Sequence, residues 1–371
     1  MTVKILIGDV REQLRTLAAD SVHCCVTSPP YWGLRDYGVD GQIGLEASPA
    51  EFIEVMVGVF EEVRRVLRPD GTCWINMGDS YATGSGTVGR APGGGDQGER
   101  FIRRGMVNTQ PNRKKLEGFK PKDLCMMPHR LAIALQDAGW WVRQDIVWSK
   151  PNPMPESVRD RCTKSHEYIF LLTKSEKYFY DAKAIREPVT ASTVSRLAQD
   201  IENQAGSTRV PGKTNGPMKA VSRGVGSGHG TDAADRGRGR VSARDTFKRK
   251  DSKRAAAIPG QTVGTHRPDR EDSIPDGFRN KRSVWTMATH SFAEAHFATF
   301  PPELPENCIR AGCPPGGVVL DPFFGAGTTG LVADRLQRDC IGIELNPAYA
   351  EIARKRIQAE STLFAEIEVA A

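Results

Sequence analysis

Residues 3–7 form a continuous apolar run closed by Gly8 and Asp9, and helical spacing follows through Leu14 and Leu17. A second apolar run, residues 22–27, stops at Pro29 and Pro30. Runs without polar alternation, bounded by turn residues, predict strands buried on both faces. Residues 48–66 place Phe52, Val55, Met56, Val59, Phe60, Val63 and Val66 at helical spacing. Residues 67–71 (Leu-Arg-Pro-Asp-Gly) read as a turn and residues 72–77 as a third strand. This β-α-β-α-β alternation predicts a parallel, doubly wound sheet. Further on, residues 123–138 read as a helix ended by Gly139, and residues 140–148 and 167–173 as strands. Residues 177–180 (Lys-Tyr-Phe-Tyr) read as one more strand, completing an antiparallel pair at the sheet edge. The pattern resumes at Ser283, with strands at 317–321 and 340–345 and helices at 328–336 and 347–357.

Two stretches break the periodicity. Residues 82–122 are rich in glycine and arginine and read as a flexible basic loop, with 9 lysines and arginines against 3 acidic residues. Residues 188–282 lose all pattern, and Gly224, Gly226, Gly228 and Gly230 mark low complexity. Residues 191–282 alone carry 19 lysines and arginines against 10 acidic residues, whereas the whole chain has a net charge of only +6. The remainder is therefore slightly acidic. Positive charge held in two segments points to a polyanion partner. The organisation expected is a core of residues 1–187 and 283–371, with residues 1–81 as one half of the site and 283–371 as the other. Residues 188–282 are then a basic insertion, expected to be the target recognition region.

Composition adds little else. The 371 residues, 39% hydrophobic and 26% charged, suit a globular core with an appended module. No apolar run approaches a membrane span. The start of the chain does not resemble a signal peptide. None of the 8 cysteines forms Cys-x-x-Cys, so no metal site is expected. Free cysteines in apolar contexts fit a reducing, cytoplasmic setting.

Two motifs carry chemistry. Gly325-x-Gly327-x-x-Gly330 follows a strand and opens a helix, as a dinucleotide fingerprint does, and Glu344 ends the next strand. Only 27 residues follow Glu344, too few for the second nucleotide-binding half of an NAD-dependent oxidoreductase. The preceding Asp321-Pro322-Phe323-Phe324 suits a loop round a methionyl tail, with Asp321 toward its ammonium, better than one round a pyrophosphate. The other motif is Thr27-Ser28-Pro29-Pro30-Tyr31-Trp32, at the carboxyl end of a predicted buried strand, where α/β folds bind ligands. Prolines donate no N–H, so neighbouring carbonyls stay free to accept. The Ser28 hydroxyl and the Pro29 carbonyl can each accept one hydrogen of an exocyclic amine. Tyr31 can stack on the base and Trp32 line the wall.

Together these motifs resemble the permuted DNA amino-methyltransferases, in the group with the target motif first and the cofactor motif last. The resemblance covers roughly residues 1–80, 120–185 and 283–360. It includes Ala295-His296-Phe297-Ala298-Thr299-Phe300-Pro301. It implies a Rossmann-like α/β fold with a circularly permuted, mostly parallel sheet and an antiparallel edge. The cofactor implied is S-adenosylmethionine (SAM). By the same resemblance Asp9 meets the adenine, Glu344 the ribose, and Phe297, Thr299 and Phe300 close over the methionine end. Phe323, Gly325, Gly327 and Thr328 belong to the cofactor loop.

Serine at 28, rather than aspartate, and the extension Gly33-Leu34-Arg35-Asp36-Tyr37 resemble the enzymes acting on N4 of cytosine. Adenine N6 is the alternative target. Carbon-5 methylation needs a Pro-Cys nucleophile, and no Pro-Cys occurs. The partner implied is double-stranded DNA with its target base flipped out. Arg236, Arg238, Arg240, Lys248 and Arg249 are the expected phosphate and base contacts. A restriction endonuclease is the expected companion, and a monomer and a homodimer both fit. Arg143, Lys150, His166 and Glu167 fall near the cleft and read as structural pairs.

Overall fold

Tail strands inserted between head strands define the architecture. The computed structural model describes residues 1–33, 38–82, 119–190, 277–289, 299–360 and 366–370. By internal contacts the chain divides into one unit of Met1–Arg186 with Asn280–Ala371, and a second of Glu187–Arg279. In the second unit β6 (Glu187–Pro188) pairs antiparallel with β7 (Phe278–Arg279), and Arg279 Nε donates to Glu187 Oε1 at 2.8 Å.

Among the described residues, the first unit is built on a sheet of nine strands. They are β1 (Thr2–Ile7), β2 (Val22–Thr27), β3 (Leu67–Met77), β4 (Trp141–Ser149), β5 (His166–Thr173), β8 (Val284–Thr286), β9 (Val318–Asp321), β10 (Asp339–Glu344) and β11 (Glu366–Ala370). Their spatial order is β11-β1-β10-β9-β2-β3-β5-β4-β8. Only β5 runs against its neighbours, and every other pairing is parallel. β1 and β2 are consecutive in the chain, yet β10 and β9 lie between them. This is the permuted, mostly parallel sheet that the resemblance implies.

Helices cover both faces, and strand residues alternate between two cores. On one side, α1 (Val10–Thr16), α2 (Pro49–Val66) and α3 (Met127–Asp137) pack Leu14, Phe60 and Leu135 against Leu6, Cys25 and Ile75. On the other, α4 (Glu303–Gly312), α5 (Thr328–Arg335) and α6 (Pro347–Glu360) pack Ile309, Leu331 and Ile357 against Ile5, Val26 and Trp74. Burial on both faces is why these strands read as unbroken apolar runs. α2 shows the local logic well. Ser48 caps it by accepting from Glu51 N at 3.2 Å, Pro49 opens it, and Phe52, Met56, Val59, Phe60, Val63 and Val66 are all buried. Each such side chain contributes about 1.5–3 kcal/mol by leaving water.

Several sequence expectations need correction. Residues 177–180 are not a strand. Tyr180 stacks on Trp74 at 6.5 Å, and the antiparallel element is β5 itself, inside the sheet. Residues 67–71 belong to β3, as an irregularity in its ladder. Val22 faces Leu67 and Cys24 faces Thr72, so Arg68–Gly71 bulge from the register. The helix expected from residue 123 starts at Met127, because Met126 takes a left-handed φ of 56° and Pro128 fixes the first turn. α4, β8 and β11 had not been anticipated. Residues 83–118 and 191–276, which include most of both basic segments, lie outside the described residues. Ala82 N donates to Asp123 O at 2.7 Å, and Lys122 N to Ala82 O at 2.9 Å, so the described ends of the first segment are pinned side by side. Among the described residues, no helix is long and apolar enough to cross a membrane.

Candidate active site

One rim of the sheet carries the whole constellation. Strands in parallel array end on the same side, and reversed β5 begins there. Reading across the rim, Asp9 follows β1, Glu344 ends β10, Asp321 ends β9, Ser28 follows β2, Asn76 nears the end of β3, Glu167 opens β5 and Lys150 follows β4. All seven line one cavity of about 390 Å³. Pro29, Pro30, Tyr31, Thr299, Phe300, Phe323, Gly325 and Thr328 line it too. The head and tail motifs therefore face a single space.

They are also joined directly. Thr27 Oγ1, one residue before Ser28, donates to Asp321 Oδ1 at 2.7 Å. Thr329 Oγ1 donates to Asp321 Oδ2 at 2.7 Å, and Phe323 N to Oδ1 at 3.1 Å. Asp321 is only 1% exposed. Burial pushes its pKa up to about 6, against the pull of these three donors. Its carboxylate ties β9 to β2 and α5 from inside the cavity wall, which it also lines.

A pH test follows. A folded-state pKa above the ordinary 3.8 means that the folded protein holds this proton more tightly than the unfolded chain. The carboxyl costs nothing below about pH 4 and progressively destabilises the fold as pH rises to about 6. We expect the stability of the wild type relative to Asp321→Asn to fall by about 2–3 kcal/mol over that range, at about 1.4 kcal/mol per pKa unit. Urea unfolding of both proteins at several pH values measures it. A constant difference between them would refute the raised pKa of Asp321.

The remaining cofactor-side residues show a division of labour. Glu344 accepts from Gly325 N and from Asn346 N, each at 2.8 Å, so it staples the glycine loop to β10. Burial raises its pKa, and those two N–H groups oppose the shift. Asp9 caps α1 through Arg11 N at 2.8 Å and pairs with the Arg11 guanidinium, which lowers its pKa. Gly327 does not line the cavity. It holds φ +74°, and a Cβ there would lie 2.9 Å from Ala353 Cβ, so it serves the packing of α5 on α6. Phe324 is buried against Gly342 and Gly330, where an added Cβ would meet its ring at 2.3 and 2.6 Å. Thr328 Oγ1 accepts from Arg356 Nη1 at 2.9 Å.

On the target side, Tyr31 Oη donates to Glu167 Oε2 at 2.8 Å. Glu167 also accepts from Asn76 Nδ2 at 3.2 Å and from Lys150 Nζ. Burial and the Glu167 charge raise the Tyr31 pKa well above normal, while the Ser28 hydroxyl and the Gly78 N–H act the other way. Gly78 leaves room for the ring, since a Cβ there would sit 2.8 Å from Tyr31 Cε2 and 3.2 Å from Glu167 Cδ.

Lys150 and Glu167 are paired, as read from the sequence, yet they line the cavity as well. Arg143 donates to Tyr178 Oη and His166 meets Tyr168 Oη, both at 3.2 Å. Trp32 corrects another expectation. It is buried, donates from Nε1 to Glu46 O at 3.0 Å and packs against Phe119, so it belongs to the core and not to the cavity wall. Asn76 and Gly78 had been missed. Their signal was position, because they follow the same rim rule that singled out Ser28. Phe297, Arg236, Arg238, Arg240, Lys248 and Arg249, with residues 34–37, lie outside the described residues.

The charge of the wall limits the ligand. Its cofactor half carries Asp9, Asp321 and Glu344, and Lys150 on the target half is the one cation among the described lining residues. A pyrophosphate there would face acidic side chains with no lysine or arginine among the described residues lining that half, which disfavours a dinucleotide.

Comparison with known proteins agrees. The sequence profile of the DNA methylase family for N6 and N4 enzymes matches residues 22–355. The type II methyltransferase M.Cfr9I of Citrobacter freundii is 42% identical over 355 residues, covering 96% of this chain and 87% of the relative. M.SmaI of Serratia marcescens is 38% identical over 354 residues, covering 95% and 90%. In fold, the chain resembles the PvuII DNA methyltransferase (cytosine-N4-specific), with a TM-score of 0.53 at 16% identity over 97% and 92% of the two chains. It also resembles a putative DNA modification methylase of Thermus thermophilus complexed with SAM, with a TM-score of 0.51 at 21% identity over the whole of both chains. With a target loop and a cofactor loop bonded together on one rim, and a family profile running from β2 into α6, the chain belongs to the N6/N4 family of DNA methylases.

Proposed function

We propose that this chain methylates the exocyclic N4 amine of a flipped cytosine in double-stranded DNA, with SAM as methyl donor. The observation that carries the reading is the Thr27–Asp321 bond, which fixes the Ser28 turn beside the cofactor loop. The donor fits the cavity. A carboxylate-lined cofactor half suits a cation, an ammonium, ribose hydroxyls and an adenine amine, and the glycine loop keeps backbone close. When bound, SAM supplies a methyl group made electrophilic by its sulfonium.

The protein does the rest. An aromatic amine is a poor nucleophile because its lone pair is delocalised into the ring. Ser28 Oγ and the Pro29 carbonyl accept its two hydrogens, which favours a pyramidal nitrogen and disperses positive charge as it develops. Tyr31 commits its own hydrogen to Glu167, so it does not compete with the amine for the Ser28 lone pairs. Tyr31 stacks on the base in the pose that Gly78 permits and Glu167 holds. Holding the amine in line with the methyl lowers the barrier by as much as ~7–11 kcal/mol, the range of effective molarities.

Cytosine is favoured over adenine because residue 28 is a hydroxyl and not a carboxylate. The basic segments supply contacts to phosphates. A companion restriction endonuclease is part of this reading, supported by relatives that are type II methyltransferases. DNA methylated by the protein, digested to nucleosides and analysed by mass spectrometry, is expected to contain N4-methylcytosine. N6-methyladenine as the product would overturn the choice of base, and neither product would overturn the activity.

A further inference from the structure

The target half of the cavity holds a donor that amine chemistry does not use. Lys150 Nζ bonds Glu167 Oε1 and lies 4.3 Å from the centre of the Trp148 ring, with its side chain 18% exposed. It is thus held on two sides and open on the cavity side. The neighbouring donors are committed. Asn76 Nδ2 gives its two hydrogens to Glu167 Oε2 and Tyr168 O, Tyr31 gives its one to Glu167, and Trp148 Nε1 gives its one to Met287 O at 2.8 Å. An ammonium has three N–H bonds. Two remain on Lys150.

We infer that Lys150 reads the O2 carbonyl of the flipped cytosine and so selects cytosine over adenine at this site. The inference rests on the N4-cytosine reading above. With the N4 amine at Ser28, cytosine presents N3 and then O2 along the same edge, both acceptors. Adenine in that pose presents N1 and then a C–H, which offers a cation nothing and is weakly repelled by it. Along the rim Lys150 comes after Ser28, Asn76 and Glu167, so the cation reaches into the cavity from the side away from the amine acceptor. Glu167 completes the device. An isolated cation at O2 would draw the amine lone pair further into the ring and slow methyl transfer. A cation already paired with a carboxylate donates its hydrogen bond while adding little net charge.

The test pairs a protein change with a base change. Duplexes carrying the mapped methylation site are made with the target cytosine or with a C-linked 2-aminopyridine nucleoside. The latter keeps the amine and its neighbouring ring nitrogen but has C–H in place of the carbonyl. Wild type is expected to lose about ten- to a hundred-fold in kcat/KM on the analogue, the size of a hydrogen bond to a charged group. Lys150→Met is expected to be slower on cytosine yet nearly indifferent to the exchange, and Lys150→Arg to regain discrimination.

Comparing ratios cancels any intrinsic difference in amine reactivity between the two bases. Calorimetric SAM binding by each variant shows that its cofactor half is intact. If Lys150→Met does not bind SAM, Lys150→Gln replaces it and is expected to discriminate less than wild type. Wild-type discrimination in a folded Met or Gln variant overturns the inference. N4-methylcytosine as product alongside that result sinks the Lys150 role alone, whereas N6-methyladenine sinks the choice of base on which it rests.

Discussion

Replacing Ser28 by alanine is expected to lower kcat by about 10²–10³-fold, the cost of removing one preorganised polar group from the charge-bearing atom of a transition state. SAM affinity should stay close to wild type. The separation follows from adjacent residues doing different work. Thr27, not Ser28, donates to Asp321, so the brace between β2 and β9 survives the substitution. The Tyr31–Glu167 bond survives as well, since Tyr31 is its donor. Only the acceptor for the amine disappears. Single-turnover methylation with calorimetric SAM titration measures both quantities. Retained turnover would remove Ser28 from the chemistry, and lost SAM binding would mean that the turn supports the cofactor half instead.

Gly327→Ala should produce the opposite profile, with a large loss of stability and of SAM binding together. Two costs add at this position. A left-handed φ of +74° is unfavourable by about 1–2 kcal/mol for a residue with a Cβ. Overpacking a close contact costs about 1–3 kcal/mol more, and here the new carbon would lie 2.9 Å from Ala353 Cβ and 3.2 Å from Ile357 Cδ1. The relief route is to push α5 away from α6, which drags the loop bearing Gly325 off Glu344. Gly325→Ala is the control. It too has a positive φ, of +52°, but nothing lies within 4 Å of its would-be Cβ. It should therefore lose only the conformational share. Denaturant midpoints for the two variants decide this, and equal losses would mean that packing against Ala353 contributes nothing.

Much of the site was legible before any coordinates. Gly325, Ser28 and Glu344 follow apolar runs bounded by turn residues, and that local pattern alone put them at strand ends. What misled was the reading of single residues without their partners. Trp32 sits next to the Ser28 turn, but its large apolar ring gains more from the α2 core than from an open cavity. Asp321 begins the cofactor motif and lines the cavity, but its bonds to two threonines, one from β2 and one from α5, were not readable from the motif. Gly327 belongs to a ligand fingerprint and serves a helix contact instead. Asn76 and Gly78 end a strand as Ser28 follows one, but neither stands in a motif.

From its own residues the chain determined which segments are strands and helices, where the ligand loops lie, and that its cofactor motif follows its target motif. Burial periodicity and turn chemistry are local, and a single strand of text records them. Only the folded sheet decided that the tail strands enter between the first two, that reversed β5 brings Glu167 to the cavity rim, and that Lys150 becomes the cavity's one described cation. Those outcomes depend on pairings between residues as far apart as Thr27 and Asp321. The free energy of such contacts belongs to neighbours in space, and no local pattern carries it.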